Sequence, residues 1–461
     1  MSDGAQTVGG GRRGRLVVAA GAAVLAGIGA LWGTDLVDVG PVDPLTRFLL
    51  AVAVILAGCH LLGELMRRLG QPAVLGEILG GLLLGPSAVG LLSPGLHRWL
   101  FPPDVLVNLD RMAQLGLVVF MFLLGCELRT GGARRPRAIG LVVLGGMGLP
   151  VVAGFGLALA AEPVLRGAGA PVPAYALFLG LALAVTALPV LARILVDLRL
   201  DRSRTGALAL SAAAVGDGVA WLALTVILAA ATSGADVRSV TGVAVHLALV
   251  LVLFLCLRPV LAAIVRRAGS ERMLVVVLVV GAIAFAALTQ LVGLHPFVGA
   301  FLFGVAVPRR SPVVERINHQ LQGFTLTILL PLFFAGVGLA ASVGLLGGDP
   351  GHWLLFLGVL AVATVTKVAG AGGGARLAGL PARDAVRVGV LMNCRGVTEL
   401  VVASIGLRSG LVNELGFTIL VLTAVVTTAM TAPLVRALAR DDAASADPAA
   451  LSDRLHERTS R

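Results

Sequence analysis

One acidic side chain interrupts a long stretch of uncharged sequence. Asp217 stands in SAAAVGDGVAWLAL, residues 211–224, about halfway along an apolar run. If that run crosses a bilayer, an ionised carboxylate at its centre costs roughly 2.5–3.5 kcal/mol and needs a partner, a proton or a bound cation. A neutral aspartic acid that is hydrogen-bonded to a neighbouring helix is the structural alternative. We interpret Asp217 as a carboxyl that holds either a proton or a cation.

The only lysine of the chain stands in a second apolar stretch. Lys367 lies within AVATVTKVAGAGGG, residues 361–374, while every other basic side chain apart from histidine is an arginine. Lysine, unlike arginine, can give up its proton inside a protein. A lysine that extends its ammonium to the membrane surface is the alternative, but the depth of Lys367 argues against it. We interpret Lys367 as a titratable cation that can neutralise the Asp217 carboxylate.

Two further charges stand close together near the end of the chain. Arg395 and Glu399 are four residues apart in MNCRGVTEL, residues 392–400. On a helix that spacing places both on one face, where they can form an ion pair. The glycine between them and a break near Asn393 favour a distorted segment that lines a site. Two interpretations stay open, a structural brace between broken helices and direct contact with an ion.

A proline marks a matching break earlier in the chain. Pro189 follows Thr186 in AVTALPVLAR, residues 184–193. Because proline lacks an N–H, it leaves a backbone carbonyl free, and this carbonyl and the threonine hydroxyl are oxygen ligands that suit a hard cation. We therefore predict ion or proton contacts from Asp217, Thr186 and Asn393. Four further residues are predicted to support the site: Pro189, Gly216, Arg395 and Glu399.

The elements that must position these residues are membrane spans. Hydrophobic residues make up 57% of the chain and charged residues 13%, with a mean hydropathy of +0.97, which is too apolar for a soluble surface. Runs of about 20 apolar residues recur about fourteen times, so we predict an all-α polytopic membrane protein. The first span covers 16–33, and the others lie within 46–437, among them 72–93, 295–308 and 323–346. The span at 295–308 is short, and it is tilted, partly unwound or merged with its neighbour.

The arginines indicate which side each connection faces. Connections rich in arginine alternate along the chain with connections that carry one arginine or none, as the positive-inside tendency requires. The basic set comprises 67–71, 129–137, 197–204, 266–273, 308–316 and 376–387. We predict that this side is cytoplasmic, together with the N-terminal segment 1–15 and a short disordered tail at 438–461.

Other features of the sequence narrow the class of protein. The four cysteines and seven histidines show no metal-ligand spacing, so we predict no metal site and no cofactor. The net charge of +11 follows from the topology and does not indicate nucleic acid as a partner. The first span has features of a signal peptide, but the even number of spans favours a retained helix. The tail is too short for a nucleotide-binding regulatory domain.

The spans around the candidate residues form two opposed sets of three. The first set, 138–161, 174–196 and 204–231, begins on the basic side, and the second, 353–375, 387–407 and 416–437, begins on the other side. The middle span of each set carries one of the two breaks. Interrupted spans at matching positions of opposed repeats indicate a midplane site in a secondary transporter. A carboxyl there is neutral with either a proton or a monovalent cation, which predicts exchange of one for the other.

On these residues the chain resembles the monovalent cation:proton antiporter-2 family, in particular its plant cation/proton exchanger and bacterial Kef-like branches. The resemblance covers about residues 46–437. It is carried by six segments, QPAVLGEILGGLLLGPSAVG (71–90), LPVLARILVDLRL (188–200), LALSAAAVGDGVAW (208–221), GLHPFVGAFLFGVAVP (293–308), LPLFFAGVGL (330–339) and LMNCRGVTELVV (391–402).

The resemblance implies a thirteen-helix antiporter core with an inverted repeat and two crossed discontinuous helices, to which the span at 16–33 is added. It makes Asp217 the ion-binding carboxylate and Lys367 its basic partner, and it implies a homodimer in the plasma membrane with a role in pH homeostasis. Relatives usually carry asparagine, glutamine or a second aspartate where this chain has Gly216. This difference favours electroneutral exchange of one Na⁺ or K⁺ for one proton.

Two other identities are weighed against this prediction. A sodium-coupled organic-solute carrier on a related fold is the runner-up, and it predicts stimulation by an organic substrate without proton counterflow. An intramembrane aspartyl protease needs two aspartates that share a proton, and Asp217 is the only aspartate deep in a span. We therefore predict a transporter and not an enzyme.

Overall fold

The computed structural model describes residues 43–127, 136–198, 200, 203–233, 237–267, 270–291, 296–308 and 312–444. Helices account for nearly all of these residues, as the apolar runs predict. In chain order they are α1 (Pro44–Arg68), α2 (Ala73–Leu84), α3 (Val89–Leu92), α4 (Pro94–Leu100), α5 (Pro103–Glu127), α6 (Pro136–Leu165), α7 (Val172–Ala184), α8 (Leu188–Asp197), α9 (Arg204–Ser233), α10 (Val237–Arg267), α11 (Glu271–Leu291), α12 (Pro296–Ala306), α13 (Pro312–Phe324), α14 (Leu330–Ala340), α15 (Pro350–Leu377), α16 (Ala382–Met392), α17 (Val397–Arg408) and α18 (Glu414–Ala444).

The helices confirm a polytopic membrane protein. Within the described ranges, nine helices are long and apolar enough to cross a membrane, and every span predicted within 46–437 coincides with a helix or a pair of half-helices. The short span predicted at 295–308 is the separate helix α12. The predicted span at 16–33 and the segment 1–15 lie outside the described residues. The predicted tail at 438–461 begins as the end of α18, which runs to Ala444, and the rest of it also lies outside.

Two spans differ from the continuous helices that the apolar runs predict. Residues 85–88, where a glycine precedes a proline, divide the span at 72–93 into α2 and α3, because the position before proline disfavours helical backbone. The span at 323–346 starts earlier, with α13 at Pro312, and continues through a π-helical turn at Thr325–Leu329 into α14. Hydropathy does not mark α13, because its sequence PVVERINHQLQGF mixes charged and polar residues with apolar ones.

The two interruptions meet each other. α7 and α8 flank the first interruption, and α16 and α17 flank the second. The Thr186 hydroxyl donates a hydrogen bond to the carbonyl of Met392 at 2.9 Å, and the Ala187 N–H donates to the carbonyl of Cys394 at 3.1 Å. These bonds pair polar groups that the interruptions expose, which a chain in hydrocarbon must do internally. The structure thus confirms two crossed discontinuous helices.

The helices on either side of the interruptions form the two halves of an inverted repeat, which we name the crossing bundle (α6–α9 and α15–α18). Its first members, α6 and α15, lie against each other along their length. A Cβ atom at Gly145 would lie 2.1 Å from the carbonyl oxygen of Gly370, and one at Gly374 would lie 2.2 Å from that of Leu141. Only glycine allows the two helix backbones to come this close, and small residues bring membrane helices together in the same manner.

Replacing Gly370 with leucine is expected to destabilise the crossing bundle. The new side chain would overlap the backbone of α6, and overpacking of this kind costs about 1–3 kcal/mol. Gly373→Leu on the same helix is the matched control, because a Cβ atom there meets no atom within 4 Å. The measurement is thermal unfolding in detergent, and equal melting temperatures for the two variants would contradict the packing.

The other described helices form a second group, the scaffold bundle (α1–α5 and α10–α14). Four of them, α1, α2, α5 and α14, pack together around an apolar cluster that includes Ala51, Ile55, Leu109 and Leu332. On their other flank, α5 packs against α12, and α12 against α11. The scaffold bundle therefore lies beside the crossing bundle, and one large cluster of buried apolar residues extends through both.

Contacts between the segments that connect the spans agree with the sides of the membrane predicted for those segments. On the basic side Arg436 donates a hydrogen bond to the Gly70 carbonyl at 3.3 Å, and Arg316 pairs with Glu271 at 3.3 Å. On the opposite side the Asp110 carboxylate of α5 pairs with Arg408 of α17. Connections assigned to the same side thus contact each other, which supports the topology read from the arginines.

Candidate ion-binding site

Asp217 lies in the middle of α9, buried inside the protein. It is 1% exposed, and neither of its carboxyl oxygens has a hydrogen-bond partner. Buried polar groups are almost always hydrogen-bonded, so an unpaired carboxyl calls for an explanation such as a proton, a water or an ion. Asp217 is therefore a buried carboxyl without a hydrogen-bond partner in the described part of the chain.

The carboxyl of Asp217 faces the beginnings of two half-helices. Besides the Lys367 ammonium, the groups that act on it are the backbone N–H of Leu188 and the hydroxyl of Thr398. Leu188 is the first residue of α8 and Thr398 the second residue of α17. The N-terminal end of a helix carries a partial positive charge that stabilises a nearby anion. Both interruptions thus direct their positive helix ends towards this one carboxyl.

Lys367 and Arg395 lie at the opposite, negative end of a half-helix. Lys367 is fully buried, and its ammonium donates a hydrogen bond to the carbonyl of Ala184, the last residue of α7. Arg395 donates to the carbonyls of Ala182, at 3.1 Å, and Leu183. The last carbonyls of a helix lack partners within it and favour a nearby cation. These two basic side chains therefore cap α7.

Lys367 acts on Asp217 without touching it. The two side chains form no direct ion pair in the described part of the chain, and the lysine influences the carboxyl through space. The sequence predicts that both residues lie inside membrane spans, and both are buried within the protein. It did not indicate that the Ala184 carbonyl is the direct partner of Lys367, because backbone acceptors carry no sequence signal.

Arg395 and Glu399 form the ion pair that their spacing indicates. The guanidinium and the carboxylate are 2.8 Å apart, and both side chains are fully buried. Arg395 itself precedes α17, which begins at Val397, while Glu399 lies in the first turn of that helix. The pair therefore ties the second interruption to the helix that follows it. Because Arg395 also caps α7, the pair connects the two broken helices.

The other predicted residues occupy distinct places around the crossing. Thr186 joins the two interruptions through its bond to Met392, and Asn393 is fully buried with both amide atoms unpaired. Pro189 is the second residue of α8, where a missing N–H costs little. A Cβ atom at Gly216 would lie 3.4 Å from the sulfur of Met147, so this position faces α6.

Thr398 is a site residue that sequence reasoning missed. Its hydroxyl faces Asp217 and is buried without a hydrogen-bond partner. Its only signal is its position beside Glu399, within the second break. Asp217, Asn393 and Thr398 together offer four unpaired buried oxygens, the ligand type that hard cations prefer. The described residues contain no group of three or more histidine, cysteine, aspartate or glutamate side chains that could hold a metal ion.

Two cavities lie between the crossing bundle and the scaffold bundle. The opposite-side cavity has a volume of about 360 Å³ and is lined by Asp110 and Leu332 of the scaffold and by Ser404 and Arg408 of α17. The basic-side cavity has a volume of about 230 Å³ and extends from Arg67 to residues of both bundles. Neither cavity includes Asp217 in its lining, so in this conformation the carboxyl is closed off from both.

Comparisons with known proteins agree with this geometry. The family described as sodium/hydrogen exchanger, transmembrane, matches residues 49–438. The chain is 34% identical to cation/H(+) antiporter 19 of Arabidopsis thaliana, over 86% of the chain and 50% of that protein. It is also 34% identical to the Na(+)/H(+) antiporter NhaS4 of a Synechocystis strain, over 85% of the chain and 97% of the relative. The chain thus spans about half the length of the Arabidopsis relative and nearly all of NhaS4.

A fungal relative and a solved structure extend the comparison. The K(+)/H(+) antiporter 1 of Saccharomyces cerevisiae is 32% identical over 88% of the chain and 48% of its own length. The sodium proton antiporter MjNhaP1 of Methanocaldococcus jannaschii has the same fold, with a TM-score of 0.65 at 13% identity over 85% of this chain and 96% of that one. The resemblance stated from sequence motifs is confirmed, and the chain belongs to the transmembrane sodium/hydrogen exchanger family.

Proposed function

We propose that the protein exchanges a monovalent cation, Na⁺ or K⁺, for protons across a membrane. The observation that carries this proposal is the buried and unpaired carboxyl of Asp217, which faces two positive helix ends. A carboxyl with a bound proton and one with a bound alkali cation are both neutral, so either can cross the low-dielectric interior. The bare carboxylate crosses at a much greater cost. Exchange therefore follows from electrostatics.

Lys367 is proposed to lower the electrostatic cost of the empty Asp217 carboxylate. Its ammonium lies close enough to act on Asp217, while its direct hydrogen bond goes to α7. A lysine in this place can partly neutralise the empty carboxylate without taking up the ligand positions of an ion. Gly216 adds no second acid, and the position faces α6. We therefore propose electroneutral exchange of one cation for one proton, with Asn393, Thr398 and Thr186 as neutral oxygen ligands.

Alternating access is proposed to come from movement of the crossing bundle against the scaffold bundle. Cavities lie between the bundles on both sides, and the Asp110–Arg408 ion pair bridges them beside the opposite-side cavity. A small displacement can join Asp217 to one cavity and then to the other, as the rocking of repeats in secondary transporters does. The plasma membrane as location, cytoplasmic termini, a homodimer and a role in pH homeostasis stay predictions.

The names of the relatives support this proposal over the solute carrier. The curated relatives described above are cation/H(+), Na(+)/H(+) and K(+)/H(+) antiporters. The test uses everted membrane vesicles that contain a pH-sensitive dye, to which sodium, potassium and lithium salts are added in turn. Dye recovery with one or more of these cations supports exchange. Sodium-dependent stimulation by an organic substrate, without proton movement, would instead favour the solute carrier.

Replacing Thr398 with valine is expected to weaken cation binding. Valine keeps the shape of the side chain but removes the oxygen that faces Asp217, and a lost polar contact of about 1–2 kcal/mol raises the half-saturating cation concentration roughly five- to thirtyfold. Thr398→Ser keeps the hydroxyl and should stay near the parent. The measurement is the cation dependence of the vesicle signal, and valine and serine variants that behave alike would exclude Thr398 as a ligand.

A further inference from the structure

A second acidic side chain lies within a membrane span of the scaffold bundle, apart from the site around Asp217. Glu77 stands near the middle of α2, in AVLGEILGGLLL. It is partly buried, and no side chain of the described residues forms an ion pair with it. Its carboxyl lines the basic-side cavity. A carboxylate within a membrane span is costly and marks ion or proton pathways more often than packing.

The basic-side cavity is large enough for a hydrated ion. Its volume of about 230 Å³ corresponds to seven or eight waters at roughly 30 Å³ each. Most of its wall is apolar, with Phe120, Leu326 and Phe334 from the scaffold bundle. A charge in a cleft with low-dielectric walls acts on ions over a longer distance than a charge on an open surface does. Glu77 is therefore placed to concentrate cations inside this cavity.

The same cavity reaches the crossing of the broken helices. Val190, in the first turn of α8, is the crossing-bundle residue in its wall. A Cβ atom at Gly396 would lie 2.6 Å from Cγ2 of Val190, so this side chain packs directly against the second interruption. Leu188, two residues earlier, presents its N–H to Asp217. Val190 thus lies in the wall between the cavity that holds Glu77 and the second interruption.

The arginine that lines the cavity does not neutralise Glu77. Arg67 lines the cavity and acts on Glu77 through space. Its guanidinium, however, donates two hydrogen bonds to Glu64, at 2.9 and 3.1 Å. Because Arg67 is held by Glu64, the carboxylate of Glu77 stays available to a cation that enters the cavity.

We propose that Glu77 is a second cation-binding carboxylate, at which a hydrated monovalent cation is held on the basic side before it passes Val190 to reach Asp217. The proposal rests on the exchange function proposed above and adds a binding site to it. It differs from a structural role for Glu77 in one respect that can be measured. A binding site in the basic-side cavity affects the half-saturating concentration of cations that arrive from that side. It leaves the value for cations that arrive from the opposite side unchanged.

The test compares Glu77→Gln with the parent in vesicles of both orientations, with sodium and potassium chloride as the probes. We expect the half-saturating cation concentration to rise about tenfold when the cation meets the basic side, the low end of the effect of a focused field. We expect the parent value when the cation meets the opposite side. Glu271→Gln is the matched control, because Glu271 is a partly exposed glutamate on the basic side, outside the lining of the cavity.

Each outcome separates the two proposals. If the parent moves no protons in response to either cation, the exchange function itself fails. If the parent exchanges and Glu77→Gln shows no rise, or an equal rise from both sides, the second site is overturned while exchange stands. Glu77→Met, which suits the apolar wall, serves if the glutamine variant does not reach the membrane, and the same one-sided rise is required of it. Glu77→Asp keeps the charge and should stay near the parent.

Discussion

Vesicles that carry Asp217→Asn are expected to give the same dye signal as vesicles without the protein, whichever cation is added. Asparagine is close to aspartic acid in size but cannot release a proton or balance the charge of a cation. The carboxyl forms no hydrogen bond of good geometry, and the side-chain carbonyl of asparagine can face the Leu188 N–H and the Thr398 hydroxyl as the carboxyl does. Burial of a neutral amide also avoids the cost of a buried charge. Folding and membrane insertion are therefore expected to match the parent, while exchange is lost.

Asp384→Asn is the matched control for this prediction. Asp384 is a partly exposed aspartate at the start of α16, at 3.5 Å from Arg387, and it lies outside the site around Asp217. This variant should exchange like the parent. Normal dye recovery with Asp217→Asn at equal protein levels would show that another group carries the ion and would remove the basis of the proposed function.

The sequence predicted the fold well because membrane burial leaves strong signals. Apolar runs located the spans within 46–437, and arginine placement predicted the sides on which connections later proved to meet. Pro189 and the glycine before Val397 marked the two interruptions, because each disfavours continuous helix. The start of α13 and the division of the span at 72–93 were missed, since neither depends on mean hydropathy.

The sequence predicts the charged members of the candidate site and two of its neutral ones, Thr186 and Asn393, but it misses Thr398. Asp217 and Lys367 stand out because charges are rare in apolar runs, and the spacing of Arg395 and Glu399 indicates their pair. Thr398 resembles the many other threonines of the spans, and its position opposite Asp217 depends on how α9 rotates against α17. The capping of α7 involves backbone carbonyls, which every residue possesses, so no residue type in the sequence predicts it.

These capping contacts place basic side chains at the negative helix end and leave the positive helix ends facing the carboxyl. The negative end of α7 is covered by Lys367 and Arg395, while the positive ends of α8 and α17 face Asp217. A cation at the proposed site would therefore meet the carboxylate and neutral oxygens, while the negative end of α7 is already satisfied by fixed side chains. Without the two basic groups, the α7 carbonyls would compete with Asp217 for the ion.

Arg395→Met is accordingly expected to destabilise the protein by about 3–5 kcal/mol, the usual cost of removing one partner from a buried ion pair. The change leaves the fully buried carboxylate of Glu399 uncompensated and uncovers the carbonyls of Ala182 and Leu183. Arg68→Met is the matched control. Arg68 also pairs with a glutamate at four residues' separation, Glu64 at 3.3 Å, but is 59% exposed, so its loss should cost less than about 1 kcal/mol.

A double variant separates the two roles of Arg395. In Arg395→Met/Glu399→Met both buried charges are gone, so the penalty for an unpaired charge disappears. If Arg395 served only Glu399, stability would return to the parent level. Because the α7 carbonyls stay uncovered, we expect a residual loss of about 1–3 kcal/mol. Thermal unfolding of the detergent-solubilised proteins measures all three changes. Full recovery in the double variant would mean that Arg395 braces α17 alone and that Lys367 suffices to cap α7.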